Sequence, residues 1–254
     1  MFAEERQQKI AELLSEQTSI KVSTISQVFN VSESTIRRDL QEMEEKGLLT
    51  RTHGGAVGIN RTNFEPSFKD KEDAHRDEKI LIGRVAAKMI EDGDTIILDS
   101  GTTTLEIAKN ITAADVTVIT NSIDIASELA NKEGIDLIVT GGSLRNTTRA
   151  MVGHITESVL KNFRVDKAFI GANGISIEEG VTTPNFVEAQ TKKAMINVAN
   201  KVIVSVDNSK FNEVCFSVIC PIRAVSTIIT NHGLDDSEIK NFGDSGVEII
   251  VAEI

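Results

Sequence analysis

The sequence predicts a helix-turn-helix with a two-stranded wing, joined to an α/β domain whose sheet is mostly parallel. Three observations carry that expectation. The segment Ser32-Glu33-Ser34-Thr35-Ile36-Arg37-Arg38-Asp39-Leu40 is amphipathic and sets two adjacent arginines near a helix start. Leu48-Leu49-Thr50-Arg51-Thr52-His53-Gly54-Gly55-Ala56 follows within a few residues, as a wing would. From residue 79 onward, short β-branched runs alternate with amphipathic stretches, the order of strands and helices in an α/β sheet.

In the first module, Ile10, Leu13 and Leu14 recur at helical spacing within residues 3–17, with charges on the other faces. Ile20 and Val22 suit a short strand. Ser23 then reads as the N-cap of a short helix with Ile25, Val28 and Phe29 inward. Asn30-Val31-Ser32 makes the turn, because Asn tolerates a left-handed backbone and Ser32 can cap the next helix. Over 33–46, Ile36, Leu40 and Met43 fall on one stripe, while Ser34, Arg38, Gln41 and Glu45 lie opposite, flanked by Thr35 and Arg37. Gly47 stops the helix, and 48–51 and 54–57 suit the wing strands.

A helix whose amino end projects hydroxyls and guanidinium groups has the chemistry of a major-groove reader, since arginine binds guanine or phosphate with two parallel hydrogen bonds. Ser32, Ser34, Thr35, Arg37, Arg38, Arg51 and His53 are therefore the expected contacts to double-stranded DNA. Net charge is -11, which argues against such a partner until it is divided. Residues 1–62 hold eight Lys/Arg against nine Asp/Glu, so nearly all the negative charge lies beyond them. A near-neutral module with a basic face can grip phosphates. The alternative, a helical docking domain with a solvated Arg pair, explains the arginines but not the full set of spacings.

The pattern Arg6-x3-Ile10-x3-Leu14, then Ser32-x2-Thr35-Ile36-Arg37-Arg38-Asp39-Leu40, resembles the DeoR-family helix-turn-helix signature, as does Arg51-Thr52-His53-Gly54-Gly55-Ala56.

Length and composition fit one small domain and one larger one. The expected boundaries are 1–57 for the winged module, 58–76 for a linker containing Gly58, Asn60, Asn63 and Pro66, and 77–254 for the α/β domain. Phe64 and Phe68 would anchor the linker to one domain. Hydrophobic content of 40% and charged content of 26% argue against a disordered or membrane class. No apolar run approaches the roughly 20 residues of a membrane span, and Met1-Phe2-Ala3-Glu4-Glu5-Arg6 has no apolar signal core. Only Cys215 and Cys220 occur, without zinc-ligand spacing, so a cytoplasmic, reducing location is expected. His53, His75, His154 and His232 show no ligand or triad spacing. No metal and no cofactor is expected.

In the larger domain a helix over 79–90 precedes strand-like runs at 95–98, 116–119, 136–139, 168–170, 202–206, 227–229 and 247–251. Helices are expected at 105–110, 123–131, 155–162 and 188–200. Ligands of open α/β sheets sit at the carboxyl ends of strands. Here those ends carry Asp99-Ser100-Gly101-Thr102-Thr103-Thr104, Thr120-Asn121-Ser122, Gly141-Gly142 with Arg145, Gly171-Ala172-Asn173-Gly174 and Asp207-Asn208-Ser209-Lys210. The first suits a phosphate: Gly101 permits close approach, threonines offer hydroxyls, and a helix amino end offers free amides. It lacks the Gly-Lys-Ser/Thr element of a Walker loop.

This half is similar to the DeoR-family C-terminal sensor domain, itself like ribose-5-phosphate isomerase folds, through Asp99-Ser100-Gly101-Thr102-Thr103, Thr120-Asn121, Gly141-Gly142, 166–172, 180–184, Glu188, Lys192 and Ser209-Lys210-Phe211. The resemblance implies phosphate at Ser100, Gly101, Thr102 and Thr103, with Lys210 as a second contact. It implies sugar contacts from Asp99, Asn121, Gly142, Arg145, Asn173, Glu188 and Lys192. Glu188 and Lys192, four residues apart, also read as a surface ion pair.

Two function classes remain. The first is a DNA-binding regulator, a repressor of a sugar-utilisation operon released by a phosphorylated sugar, working as a homo-oligomer (dimer or tetramer). The second is a sugar-phosphate isomerase-like enzyme with an appended DNA-binding domain. Isomerases of the related fold carry acids in an Asp-Gly-Ala-Asp-Glu loop, whereas Gly171-Ala172-Asn173-Gly174-Ile175 has none. That favours the regulator. A pure interaction protein would leave the hydroxyl-rich strand ends without a purpose.

Overall fold

A computed structural model describes residues 2–16, 19–52, 54–58, 62 and 65–253, which divide into two compact units, Met1–Arg61 and Thr62–Ile254. The small unit contains α1 (Ala3–Glu16), β1 (Ser19–Lys21), α2 (Val22–Phe29), α3 (Glu33–Glu45), β2 (Leu49–Thr52) and β3 (Gly55–Gly58). Ile10, Leu14, Ile25, Ile36, Leu40, Met43 and Leu49 are buried together, so the three helices and the sheet share one core. Its strands are antiparallel in the order β1-β3-β2. Gly55 is required where β3 meets β1, since a Cβ there would stand 2.1 Å from the Ile20 carbonyl oxygen.

The turn between α2 and α3 is made as expected. Asn30 takes the left-handed conformation (φ 51°, ψ 48°), and Ser32 Oγ accepts the Thr35 N–H at 3.2 Å. At the far end of α3, Gly47 (φ 70°) turns the chain while Gly47 N–H donates to Glu44 O and Leu48 N–H to Met43 O, a Schellman closure. Two expectations fail in α2. Its N-cap is Lys21, without a side-chain cap, because β1 runs straight into the helix and the Val22 N–H is taken by Gly54 O at 2.9 Å. Val28 is 59% exposed, because Val22, Ile25 and Phe29 already form the inward stripe.

In the large unit the elements are α4 (Phe68–Asp73), α5 (Arg76–Ala87), β4 (Thr95–Leu98), α6 (Thr102–Asn110), β5 (Val116–Thr120), α7 (Ile123–Leu129), β6 (Ile135–Val139), β7 (Ser143–Arg145), β8 (Ala150–Val152), α8 (His154–Leu160), β9 (Val165–Ile170), β10 (Gly174–Ser176), β11 (Gly180–Thr183), α9 (Phe186–Asn197), β12 (Ala199–Ser205), β13 (Ser217–Cys220), β14 (Thr227–Thr230), α10 (Asp236–Asp244) and β15 (Glu248–Val251). Seven strands make one wholly parallel sheet in the order β15-β14-β12-β9-β4-β5-β6. Both faces are covered. Along β4, Ile96 and Leu98 pack with Ile82 and Ile107 on one side, while Ile97 packs with Leu160 and Met195 on the other. Strand order reverses between β4 and β9, the topological position at which open α/β sheets carry their ligand crevice.

The expected linker is largely structured. Residues 65–76 belong to the large unit: Ser67 and Asp70 form a capping box for α4, and Phe68 is buried in the same cluster as Ile82 and Leu105. Phe64, Asn60 and Asn63 lie outside the described residues. Hairpin β7–β8 and the sheet β10-β11-β13 add to the elements the sequence pattern predicts.

Inside the small unit Arg6 and Asp39 form a two-armed pair, Nε to Oδ2 at 2.5 Å and Nη2 to Oδ1 at 3.0 Å, with both side chains buried. This pair ties α1 to α3 from within. Replacing Asp39 by Ala removes the carboxylate that faces a buried guanidinium, so the unit should lose about 3–5 kcal/mol in chemical denaturation; a loss below about 1 kcal/mol would mean that the pair contributes little to the unit.

Candidate functional site

On α3 the buried side is Ile36, Asp39, Leu40 and Met43, which turns Arg37 and Arg38 outward. Arg38 is 83% exposed and held loosely by Glu42 at 3.4 Å, and Arg37 pairs with Glu33 at 2.9 Å. Exposed pairs of this kind are worth little, so both guanidinium groups can be redirected to phosphate or base edges. Ser32, Ser34 and Thr35 form a hydroxyl cluster at the helix start, with Ser32 Oγ 2.7 Å from Ser34 Oγ and 2.8 Å from Thr35 Oγ1. Arg51 on β2 donates from its backbone N–H and from Nε to Glu44, both at 2.8 Å, which lowers the Glu44 carboxyl below its ordinary range. His53, expected beside it, lies outside the described residues.

In the large unit the crevice between β4 and β9 is built around Asp99, the residue directly after β4. Its Oδ2 accepts the Gly171 N–H at 3.0 Å and pairs with Lys192 Nζ, which also donates to Gly171 O at 3.0 Å. Asp99 and Lys192 are both buried, and Asp99 Oδ1 has no hydrogen-bond partner among the described residues. Lys192 on α9 thus bridges the two strand ends at the point of reversal.

The loop 100–103 leads from Asp99 into α6. Ser100 N–H donates to Asn121 Oδ1 at 3.0 Å, and Asn121 Nδ2 donates to Met151 O at 2.9 Å. Asn121 is fully engaged in joining the ends of β4 and β5 to β8. Gly101 is extended (φ 175°), so no backbone strain selects glycine there; a Cβ would lie 3.1 Å from Thr104 Oγ1. Thr104 Oγ1 donates to Asp99 O at 2.6 Å, and the first amides of α6 have no carbonyl within the helix to reach.

Glu188 and Lys192 are not a surface pair. Both are buried, and Glu188 turns to Arg145 Nη1 at 3.2 Å and to the Thr148 hydroxyl. Burial, then the Glu65 carboxylate, push Glu188 above the ordinary range, against the pull of Lys192, Thr148 and Arg145. Asn173 accepts from the Thr183 hydroxyl at 3.1 Å beside the β9 end. Gly142 (φ 124°) is needed for packing, because a Cβ would strike Thr156 Oγ1 at 2.2 Å.

Lys210 lies after β12, where Nζ donates to Ser209 Oγ at 3.0 Å. Nearby Asp207 is pushed up by burial, but Lys210, Ser209, His75 and Lys79 outweigh that and hold it below the usual carboxylate range. Sequence reasoning missed Glu65, Lys71, Lys79 and Thr148. A lysine on the buried stripe of α5, at position 79, was the available signal.

A helix-turn-helix with exposed arginines on one unit, and a doubly covered parallel sheet with a polar crevice on the other, define a DNA-binding transcriptional regulator with a separate sensor. Residues 6–62 match the model of the DeoR-like helix-turn-helix domain, and 74–232 match that of the DeoR C terminal sensor domain. The chain belongs to the DeoR family of transcriptional regulators. It is 40% identical to the HTH-type transcriptional regulator YulB of Bacillus subtilis (strain 168), over 98% of this chain and 96% of that one. It is 38% identical to the transcriptional repressor AccR of Agrobacterium fabrum over 91% and 90%, and 36% identical to the HTH-type transcriptional repressor GlcR of Bacillus subtilis over 100% and 98%. Among solved structures, ribose 5-phosphate isomerase A of Methanocaldococcus jannaschii aligns with 54% of this chain and 55% of its own, at 21% identity and a TM-score of 0.40. No helix among the described residues is long and apolar enough to cross a membrane.

Burial pushes the Lys79 ammonium down to about 8, against the pull of Asp207. Below that pH the folded state bears the full cost of the buried charge. Above it the folded protein sheds the proton, while the unfolded chain holds it to 10.5, so this contribution to stability grows with pH. Unfolding free energy relative to Lys79→Gln should rise between about pH 7.5 and about pH 9.5 in urea titrations; a flat difference would contradict the assigned burial.

Proposed function

We propose that this regulator represses a sugar-utilisation operon, and that a phosphorylated sugar bound at the carboxyl edge of the large sheet releases it from DNA. The observation that carries the reading is Asp99 Oδ1: a buried acceptor at the strand reversal, without a donor among the described residues, beside the amino end of α6, which has no side-chain cap. A sugar hydroxyl supplies the missing donor. The phosphate fits the Ser100 hydroxyl, the Gly101 amide, and the amides and hydroxyls of Thr102 and Thr103, with Lys210 and Lys79 as nearby cations. Lys192 neutralises Asp99, so a phosphate dianion can approach. Arg145, Asn173 and Glu188 face the sugar in this reading. Asn121 acts by fixing the Ser100 backbone, whose N–H it accepts, and Gly142 by packing the loop after β6.

Ser32, Ser34, Thr35, Arg37, Arg38, Arg51 and His53 are the proposed operator contacts, with the functional form a cytoplasmic dimer or tetramer reading repeated half-sites. The unpaired thiols of Cys215 and Cys220 are consistent with that location. Catalysis is not part of the reading. An aldose–ketose isomerase needs a poised carboxylate base, and Asp99 and Glu188 are each bound to a buried or half-buried cation. Purified protein should therefore not turn over phosphorylated aldoses; turnover abolished by Glu188→Gln would establish the enzyme instead.

Two measurements test the regulator. Arg37→Ala with Arg38→Ala should weaken operator binding and reduce its log–log salt slope by about one for each phosphate no longer neutralised, and an unchanged slope would remove α3 from the interface. In gel shifts across a sugar-phosphate panel, at least one member should lower operator affinity by about 5–150-fold in the wild type and lose that effect in Thr103→Val. Unchanged affinity across the panel would reject induction by this ligand class.

A further inference from the structure

Residues 65–76 form a strap tied at three points on the large unit. Phe68 N–H donates to Thr147 O at 2.7 Å, and the Phe68 ring lies 5.6 Å from the Arg149 guanidinium carbon. Lys79 Nζ holds the carboxyl end of α4 through Lys71 O and Ala74 O. The third tie is ionic. Glu65, its side chain 3% exposed, sets Oε1 2.8 Å from Lys71 Nζ and Oε2 2.8 Å from Arg145 Nη1.

That third tie is poorly made. Arg145 Nη1 directs its hydrogen bonds to Glu188 Oε1 at 3.2 Å and Thr148 Oγ1 at 3.4 Å, so Glu65 Oε2 is buried and close to positive charge yet receives no hydrogen bond among the described residues. Two buried carboxylates share one guanidinium. The charge network is continuous with the crevice, because Glu188 is also drawn by Lys192, which pairs with Asp99. A third oxyanion with better hydrogen-bond geometry could replace Glu65 without leaving Arg145 or Lys71 unneutralised.

We propose that Glu65 is an internal anion occupying a second acidic-group seat, and that the effector is a sugar with two anionic groups, one at residues 100–103 and the other displacing Glu65 from Arg145 and Lys71. Displacement frees the strap, which begins four residues after the end of the DNA-binding unit at Arg61. This rests on the crevice taking a phosphorylated sugar, and it narrows that class to bisphosphates and phosphorylated sugar acids.

The test is calorimetric binding of fructose 6-phosphate, fructose 1,6-bisphosphate and 6-phosphogluconate to the full chain. Wild type should bind one of the two-anion probes roughly tenfold or more tighter than the monophosphate. Glu65→Gln should tighten the two-anion probe selectively, since the internal competitor is gone, and Lys71→Gln should weaken it selectively. Amide exchange across 65–74 should quicken when wild type is saturated with that probe. Changes of the same sign in both variants would mark general loosening of the strap and overturn the displacement. Equal binding of one- and two-anion probes, unmoved by either substitution, overturns the second seat but leaves the effector reading standing. Failure of all three sugars to bind either variant or the wild type overturns both.

Discussion

The buried pair between Asp99 and Lys192 is the constraint around which the sensor unit is arranged. Neither charge could be sealed at the strand reversal alone, because an isolated ion in that environment costs several kcal/mol. Pairing them fixes α9 against the ends of β4 and β9, and the Gly171 backbone completes the clasp from both its N–H and its C=O. Among the described residues the clasp leaves over one carboxylate oxygen without a donor, next to a helix start that has no side-chain cap, and these are the groups the proposed ligand would use. The small unit uses the same device. Arg6 and Asp39 lock α1 to α3 internally, and that lock sets which side of α3 carries Arg37 and Arg38 into solvent.

The small unit thus separates a rigid buried ionic joint from exposed groups held by weak surface pairs. The separation matters for a regulator. In the proposed reading Arg37 and Arg38 exchange Glu33 and Glu42 for phosphate at little cost, whereas the element that presents them must not shift. A ligand acts on such a molecule only through unequal affinity for two arrangements of the chain. The strap is the element most suited to having two arrangements, because its ties are one buried ring, Phe68, with its cation–π contact, a few hydrogen bonds and one ill-aimed carboxylate.

Legibility in the sequence followed burial. The seven strands of the parallel sheet were readable because each contains a short β-branched apolar run, as in Thr95-Ile96-Ile97-Leu98, whose apolar residues are buried on both faces of the sheet. The helix-turn-helix was readable because Asn30, Ser32 and Gly47 are required by backbone geometry. Hairpin β7–β8 has three residues per strand, too few for a period, and α4 buries only Phe68. In the site, Asp99 and loop 100–103 were legible from their place after a strand. The Glu65–Arg145 and Thr148–Glu188 contacts were not, because their partners stand far apart in sequence and meet only when β7, β8, α9 and the strap are assembled. Glu188 and Lys192 illustrate the same limit: their spacing predicts mutual pairing, yet tertiary partners claim each of them.

The central claim is that crevice and operator are thermodynamically coupled, and reciprocity tests it most directly. The dissociation constant of the most effective phosphorylated sugar should be measured with free protein and with protein saturated by an operator duplex selected from random DNA. The account predicts that DNA weakens sugar binding by the same factor by which the sugar weakens DNA binding, a coupling of about 1–3 kcal/mol. Identical sugar affinity in the two states would contradict it.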